Sequence, residues 1–334
     1  MMRKLFWLIV ILAVGWSAYW FVGARAVTGQ ANTWFDDRRA DGWAADVADV
    51  TTQGFPNRFD TTFTDIQLAD PATGVGWSAP MFQVLALSYR PTSVIAVWPD
   101  TQTLFAPDGQ MTITSQDMRA SVDLTATPSL ALKQARFALD QVSLVSDGGW
   151  SSAIQDGIAA MRLVDGSDAT YDIHFNATDM VPGALFKGII DPQNRLPDTF
   201  QTATMDVQVT FDRAWDRSAI EQARPQPTQF DLKNLQAIWG DLDLRLAGAG
   251  DVDRAGRITG DVTFKVTNWR QALALAVENG TLPANIAGTL EGLLGGLARA
   301  SGPDNTIDVP LSIVGGQMRL GFIPLGPAPL LRLR

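Results

Sequence analysis

Hydrophobic and polar positions change period three times along this chain. From Leu5 to Val22 no residue is charged. At ~1.5 Å per residue, these eighteen residues are about the shortest helix that crosses a bilayer core. Gln30 to Arg39 then predicts a short separate helix. Ala31, Trp34 and Phe35 fall on one side of it, Asp36, Asp37, Arg38 and Arg39 lie mostly off that side, and Asp41-Gly42 ends it. Beyond this point the period becomes two. Strands are expected over 59–68, 82–89, 94–98, 111–124 and 130–145, the last with a bulge, and over 161–164 and 171–175 around an Asp165–Asp168 turn. The series continues over 204–211, 230–238, 241–246, 257–266, 307–313 and 317–322.

Near the end the period returns to helical. Asn268 is placed to cap a helix from Trp269 to Glu278, which Asn279-Gly280 stops. A second helix, 284–300, carries Ile286, Leu290, Leu293, Leu294 and Leu297 as a stripe beside Gly288, Gly292, Gly295 and Gly296. Strands joined by short turns imply a mainly β fold: a large curved antiparallel sheet, groove-like or two-layered, with an N-terminal transmembrane helix and two C-terminal helices packed on it. Turn formers over 181–198 mark a seam between two possible halves. The stripe reads as a helix packed on the sheet, or as a lid. In the second case Trp269, Leu273, Ile286, Leu290, Leu293, Leu294 and Leu297 would line or cover an apolar groove.

Charge orients the first helix. Arg3 and Lys4 precede the apolar run and only Arg25 follows it closely. The expected arrangement is an anchor over residues 1–23 with its N-terminus in the cytoplasm, and a periplasmic β-rich domain over 24–334, held in the inner membrane by residues 5–22. Ala24-Arg25-Ala26 fits signal peptidase, so cleavage after Ala26 is the competing reading. The run exceeds a usual signal core of ~7–15 residues, and Trp16, Tyr19 and Trp20 cluster at its far end as interfacial rings do. Both points favour a retained anchor. Net charge is −9, or −11 without Arg3 and Lys4, which disfavours nucleic acid as a partner. No cysteine occurs in the 334 residues, so a translocated domain must hold by packing and backbone hydrogen bonds.

Candidate chemistry is sparse. His174 is the only histidine; it shares the more exposed strand face with Asp172 and Asn176, and no nucleophile is near it in sequence. One histidine and no cysteine deny a zinc site its usual two or more His or Cys ligands and come close to excluding one. Asp251 to Gly256 opens like a calcium loop, but Ala255 and Val262 stand where ligands belong, so a hairpin turn is expected. Of the 35 acidic residues only Glu221, Glu278 and Glu291 are glutamate; aspartate in such number suits turns. Asp241 and Asp243 share a strand-face spacing, yet chance pairs are common among so many aspartates. Nothing here predicts an enzyme or a cofactor.

Gly54-Phe-Pro-Asn-Arg-Phe-Asp60 followed by Thr64-Asp-Ile-Gln-Leu-Ala-Asp-Pro71 resembles the opening of the DUF2125 family of alphaproteobacterial envelope proteins. The later runs 238–244, 250–253 and 256–260 with Asn268-Trp269, and the ending from Val309 to Gly326, are similar to that family too. Gly321-Phe322 replaces an expected Gly-Pro. The resemblance implies an N-terminal anchor, an extracytoplasmic β-rich body and no assigned activity. The strand rhythm and closing Pro-Leu-Gly also resemble AsmA-like envelope proteins, whose long β-grooves are associated with lipid movement. Two roles follow as expectations: holding or passing a lipid or other apolar molecule, or serving as a non-catalytic scaffold for an envelope protein partner. A hydrolase built on Asp241 and Asp243 ranks behind both.

Overall fold

A computed structural model describes residues 2–301, 304–321 and 323–333, leaving the side chains of Ile220, Glu221, Ile286, Leu297, Ala300, Ser301 and Ile323 outside the description. Phe322, the family departure, also lies outside it. The strands form one antiparallel sheet of 18, in keeping with the mainly β expectation. The chain divides into two compact units: residues 1–124 with 138–150, and residues 125–137 with 151–334.

The first unit holds α1 (Met2–Ala40), β1 (Ala44–Asp46), β2 (Asp49–Gln53), β3 (Arg58–Asp70), β4 (Val75–Leu87), β5 (Arg90–Val97), β6 (Thr101–Ala106), β7 (Gly109–Thr114) and β8 (Asp117–Leu124). It also holds most of β9 (Leu132–Ser146). β3 pairs with β1, β2 and β4, and β4 pairs with β5 and β6.

The expected short helix at 30–39 is not separate. It continues from the apolar run as one 39-residue helix. The intervening residues 23–29 contain no proline, and the helix runs unbroken through them as it packs on the sheet. Trp20 and Ala24 bury against Phe59, and Phe35 buries among Ala45, Ile66 and Ala79. A Cβ at Gly23 would stand 2.7 Å from the tip of the Phe59 ring, so a larger residue here would have to displace that ring. The apolar first half of α1 is exposed and is long and apolar enough to cross a membrane. The 111–124 expectation resolves into β7 and β8, parted at Ser115-Gln116, and β9 is one strand broken by a left-handed Gln141 (φ 47°).

The second unit holds β10 (Ser151–Leu163), β11 (Thr170–Val181), α2 (Ala184–Ile190), β12 (Phe200–Phe211), α3 (Ser218–Glu221), β13 (Pro227–Trp239), β14 (Leu242–Val252) and β15 (Ile258–Thr267). α4 (Trp269–Glu278), α5 (Ala284–Ser301), β16 (Thr306–Val314), β17 (Gln317–Leu320) and β18 (Ile323–Pro327) complete it. From β10 to β18 each strand pairs with the next, so the sheet order is the chain order. The 181–198 stretch lies inside this unit and forms α2 with the loop after it. The buried Asp191 carboxylate there accepts the backbone N–H groups of Arg195 and Leu196 at 2.8 and 2.7 Å. Asp253 closes the expected hairpin turn by accepting from the N–H groups of Ala255 and Arg257.

Candidate functional site

Register along the second unit sorts the side chains onto two faces, since paired residues point the same way. Met161, Ile173, Val207, Leu232, Gly248, Val262 and Leu311 are successive cross-strand neighbours from β10 to β16. The adjacent row on the same face runs Ala159, Phe175, Met205, Leu235, Leu246, Phe264 and Val309. A bulge between Leu232 and Leu235 keeps both on this face. The result is an apolar surface seven strands wide.

Its cover is uneven. At β14–β16 the helices fill it: Trp269 of α4 and Ala298 of α5 pack with Val266, Ile307 and Val309, joined by Leu273, Leu294, Phe264 and Leu311. Trp269 is 2% exposed, and its indole N–H donates to the Asp304 carbonyl at 3.1 Å. The Arg270 guanidinium lies 4.4 Å from the ring centre. At β10–β13 Met161, Ile173, Phe175, Met205, Val207, Leu232 and Leu235 are partly exposed, as are Leu246, Phe264 and Leu311 in the same rows at β14–β16, whereas Val262 and Val309 there are buried. Beside α4 a cavity of about 190 Å³ is lined by Ile190, Leu196, Phe200, Trp239, Leu242 and Leu275 among others. α2 borders it: Phe186 stacks on Trp239 at 6.5 Å, while Leu185, Phe186 and Ile189 face solvent.

The residues read from sequence as groove or lid therefore divide. Trp269 is core, and Leu273 and Leu294 pack against that core. Leu290 is half-buried and Leu293 is 40% exposed. Ile286 and Leu297 have side chains outside the described residues. The face of α5 turned to the sheet runs through Leu294, Gly295 and Ala298, not through Leu293. The sequence names Gly295 only as flanking the stripe and gives Ala298 no part, because small residues carry little hydrophobic signal; both lie on the side of α5 that faces Trp269. Asn268 precedes α4 as expected, but its side chain makes no cap bond to the helix. Its backbone is left-handed (φ 59°), and its amide donates instead to the Asp241 carbonyl.

The opposite face is polar. His174 lies there with Nδ1 2.7 Å from Asp206, both about half exposed. The hydrogen bond from Gln208, helped by Arg162, holds the Asp172 carboxyl below its ordinary range against the opposing effect of burial. Arg245 holds Asp243 below the usual range, with a further bond from Gln236, and is itself pushed up in return. Asp241 sits in the turn before β14, so it and Asp243 do not form a facing pair on one strand. Carboxylates held ionised in this way suit ion pairing better than proton donation near neutral pH. A cleft of about 660 Å³ on this face is lined by Gln208, Gln229, Asp231, Asp251 and Asp261. Among the described residues no group of three metal-ligating side chains gathers.

Tyr171 looks to the apolar side, fully buried. Its hydroxyl donates to the Leu132 carbonyl at 3.3 Å and accepts from the Trp215 N–H at 3.2 Å, and burial pushes its pKa up. It is a latch on the loop after β12, not an acid or base open to solvent.

Residues 20–329 match DUF2125, described as an uncharacterized protein conserved in bacteria. The chain belongs to this family. The matched region begins at Trp20, so it includes the half of α1 that packs on the sheet and omits most of the exposed apolar run. No curated protein and no solved structure matches the chain.

Proposed function

We propose that this is an inner-membrane protein whose body stands in the periplasm and holds or passes a lipid or other apolar molecule along the β10–β13 face of the second unit. The observation that carries this reading is the partly exposed apolar surface of Ile173, Phe175, Met205, Val207 and Leu232, continuous in register with the filled core at β14–β16. Partly exposed apolar side chains gathered on one face are of the kind that lines ligand sites. The exposed α2 side chains beside the 190 Å³ cavity add a second apolar element at its margin. The likeness of strand rhythm to AsmA-like proteins points the same way, and the charge flanking Leu5–Val22 supports the orientation.

Photocrosslinking in cells tests this with the full chain. A benzophenone side chain replacing Phe175 is expected to give lipid adducts, identified by mass spectrometry, whereas one replacing Asp231 on the polar face is not. Protein adducts alone at position 175, or equal lipid adducts at both positions, would overturn it. A scaffold is the second reading, favoured by the outward Leu293 on a helix whose inner side is already filled. It predicts a protein crosslink at position 293 that Leu293→Glu abolishes.

A further inference from the structure

Three aromatic side chains at the end of the apolar run hold turns of the first unit. The Trp16 indole N–H donates to the Pro56 carbonyl at 3.0 Å, the Tyr19 hydroxyl to the Ser88 carbonyl at 2.7 Å, and the Trp20 indole to the Arg58 carbonyl at 2.7 Å. The acceptors belong to two neighbouring turns, 54–58 between β2 and β3 and 88–89 between β4 and β5. Ser88 joins these turns, its N–H donating to Asn57 and its hydroxyl to Pro56. Phe55, 51% exposed, stacks on Phe21 of α1 at 5.6 Å, and Tyr89 is 63% exposed.

Depth follows from helix geometry. A hydrocarbon layer ~30 Å thick entered at Leu5 is not left until about residue 24, at ~1.5 Å per residue. The two turns are bonded at Trp16, Tyr19 and Trp20, roughly 6 to 12 Å of helix rise before that exit. Such rings settle no farther out than the headgroups of a bilayer, so the turns they hold lie at or below headgroup level and not clear of the membrane. Arg25 and Arg90, both exposed, follow Phe21 and Tyr89 in sequence, placing positive charge where anionic headgroups would be, although the chain as a whole is acidic. Exposed Leu87 and Ile95 continue the apolar surface into a cleft of about 390 Å³ that Arg58 also lines.

We infer that the turns 54–58 and 88–89 form a foot seated in the lipid interface beside the anchor, with Phe55 and Tyr89 inserted, so that the first unit rests on the bilayer instead of hanging from a linker. This rests on the reading that α1 spans the membrane. The chain has no cysteine, so single cysteines report depth cleanly. Full-length Asn57→Cys, which keeps Phe55, and Tyr89→Cys are labelled with a polarity-sensitive fluorophore in phosphatidylethanolamine–phosphatidylglycerol vesicles. Leu12→Cys marks mid-span, and Ala72→Cys marks the β3–β4 turn. Positions 57 and 89 are expected to emit at shorter wavelength than position 72 and to be quenched by nitroxide-bearing lipid. If position 12 is quenched while 57 and 89 behave like 72, the foot is refuted and the anchor stands. If position 12 is not quenched, the anchor reading falls and the foot with it.

Discussion

Strands β14–β16 and β10–β13 carry the same apolar face, row for row, but α4 and α5 bury Val266, Ile307 and Val309 of the first group, while α4 reaches the second at Trp239, the end of β13. At β14–β16 Trp269 is buried among Val266, Ala298, Ile307 and Val309. At the other end Phe175 and Leu232 occupy equivalent rows and stay partly exposed. Binary pattern is therefore a poor guide to which apolar strand positions are core. Alternation specifies the face, and the elements packed on the face decide whether its side chains stabilise the fold or remain available to a ligand.

Paired truncations give the largest contrast. Trp269→Ala should cost about 3–5 kcal/mol through the lost burial and the cavity left behind, measured by chemical denaturation. Phe175→Ala should cost less, about 2 kcal/mol, since part of the ring stays in contact with water. Equal losses would mean that the β10–β13 face is core as well.

Asp191→Ala should come next, at about 1–3 kcal/mol, because two backbone N–H groups lose their acceptor in a buried loop. Hydrogen exchange at Arg195 and Leu196 should accelerate along with the loss. On α5, Leu293→Ala should change stability by less than about 0.5 kcal/mol, as expected of a side chain turned to solvent. A larger effect would place Leu293 in the packing seam with Leu294 and Ala298.

The smallest effect belongs to the polar face. Asp243 has a carboxyl held below its ordinary value by Arg245, so its contribution is present above about pH 4 and lost as pH falls through the folded value. Arg245 is half exposed, which limits the pair to about 0.5 kcal/mol. Asp243→Asn should therefore destabilise slightly at pH 7 and match the parent protein in strong acid, as read from melting temperature across pH.

Much of the fold was legible from local pattern. The Asp253–Gly256 and Gly315-Gly316 turns, the bounds of α4 and the run of antiparallel strands all depend on neighbours in sequence. β1, β2 and β6 were not legible: they are short, with no sustained apolar alternation, and they exist because β3, β4 and β7 offer hydrogen-bonding edges. Helix α2 was hidden among turn formers. The candidate site was half visible, since Trp269, Leu273 and Leu294 do meet at the sheet. Their company of Gly295 and Ala298 leaves no hydrophobic trace in a helical pattern.

By itself, the amino-acid sequence determined an apolar leading helix, an alternating antiparallel body and the family. Those properties are set by composition and by periods of two or 3.6 residues. Only the tertiary structure decided that α1 runs unbroken onto the sheet, that Leu293 faces away from the core, and that Val262, Val266, Ile307 and Val309 are buried while Ile173, Phe175, Met205, Val207 and Leu232 on the same face stay partly exposed. Each of these depends on contacts between residues tens to hundreds of positions apart, and local periodicity does not encode which distant surface arrives to cover a face.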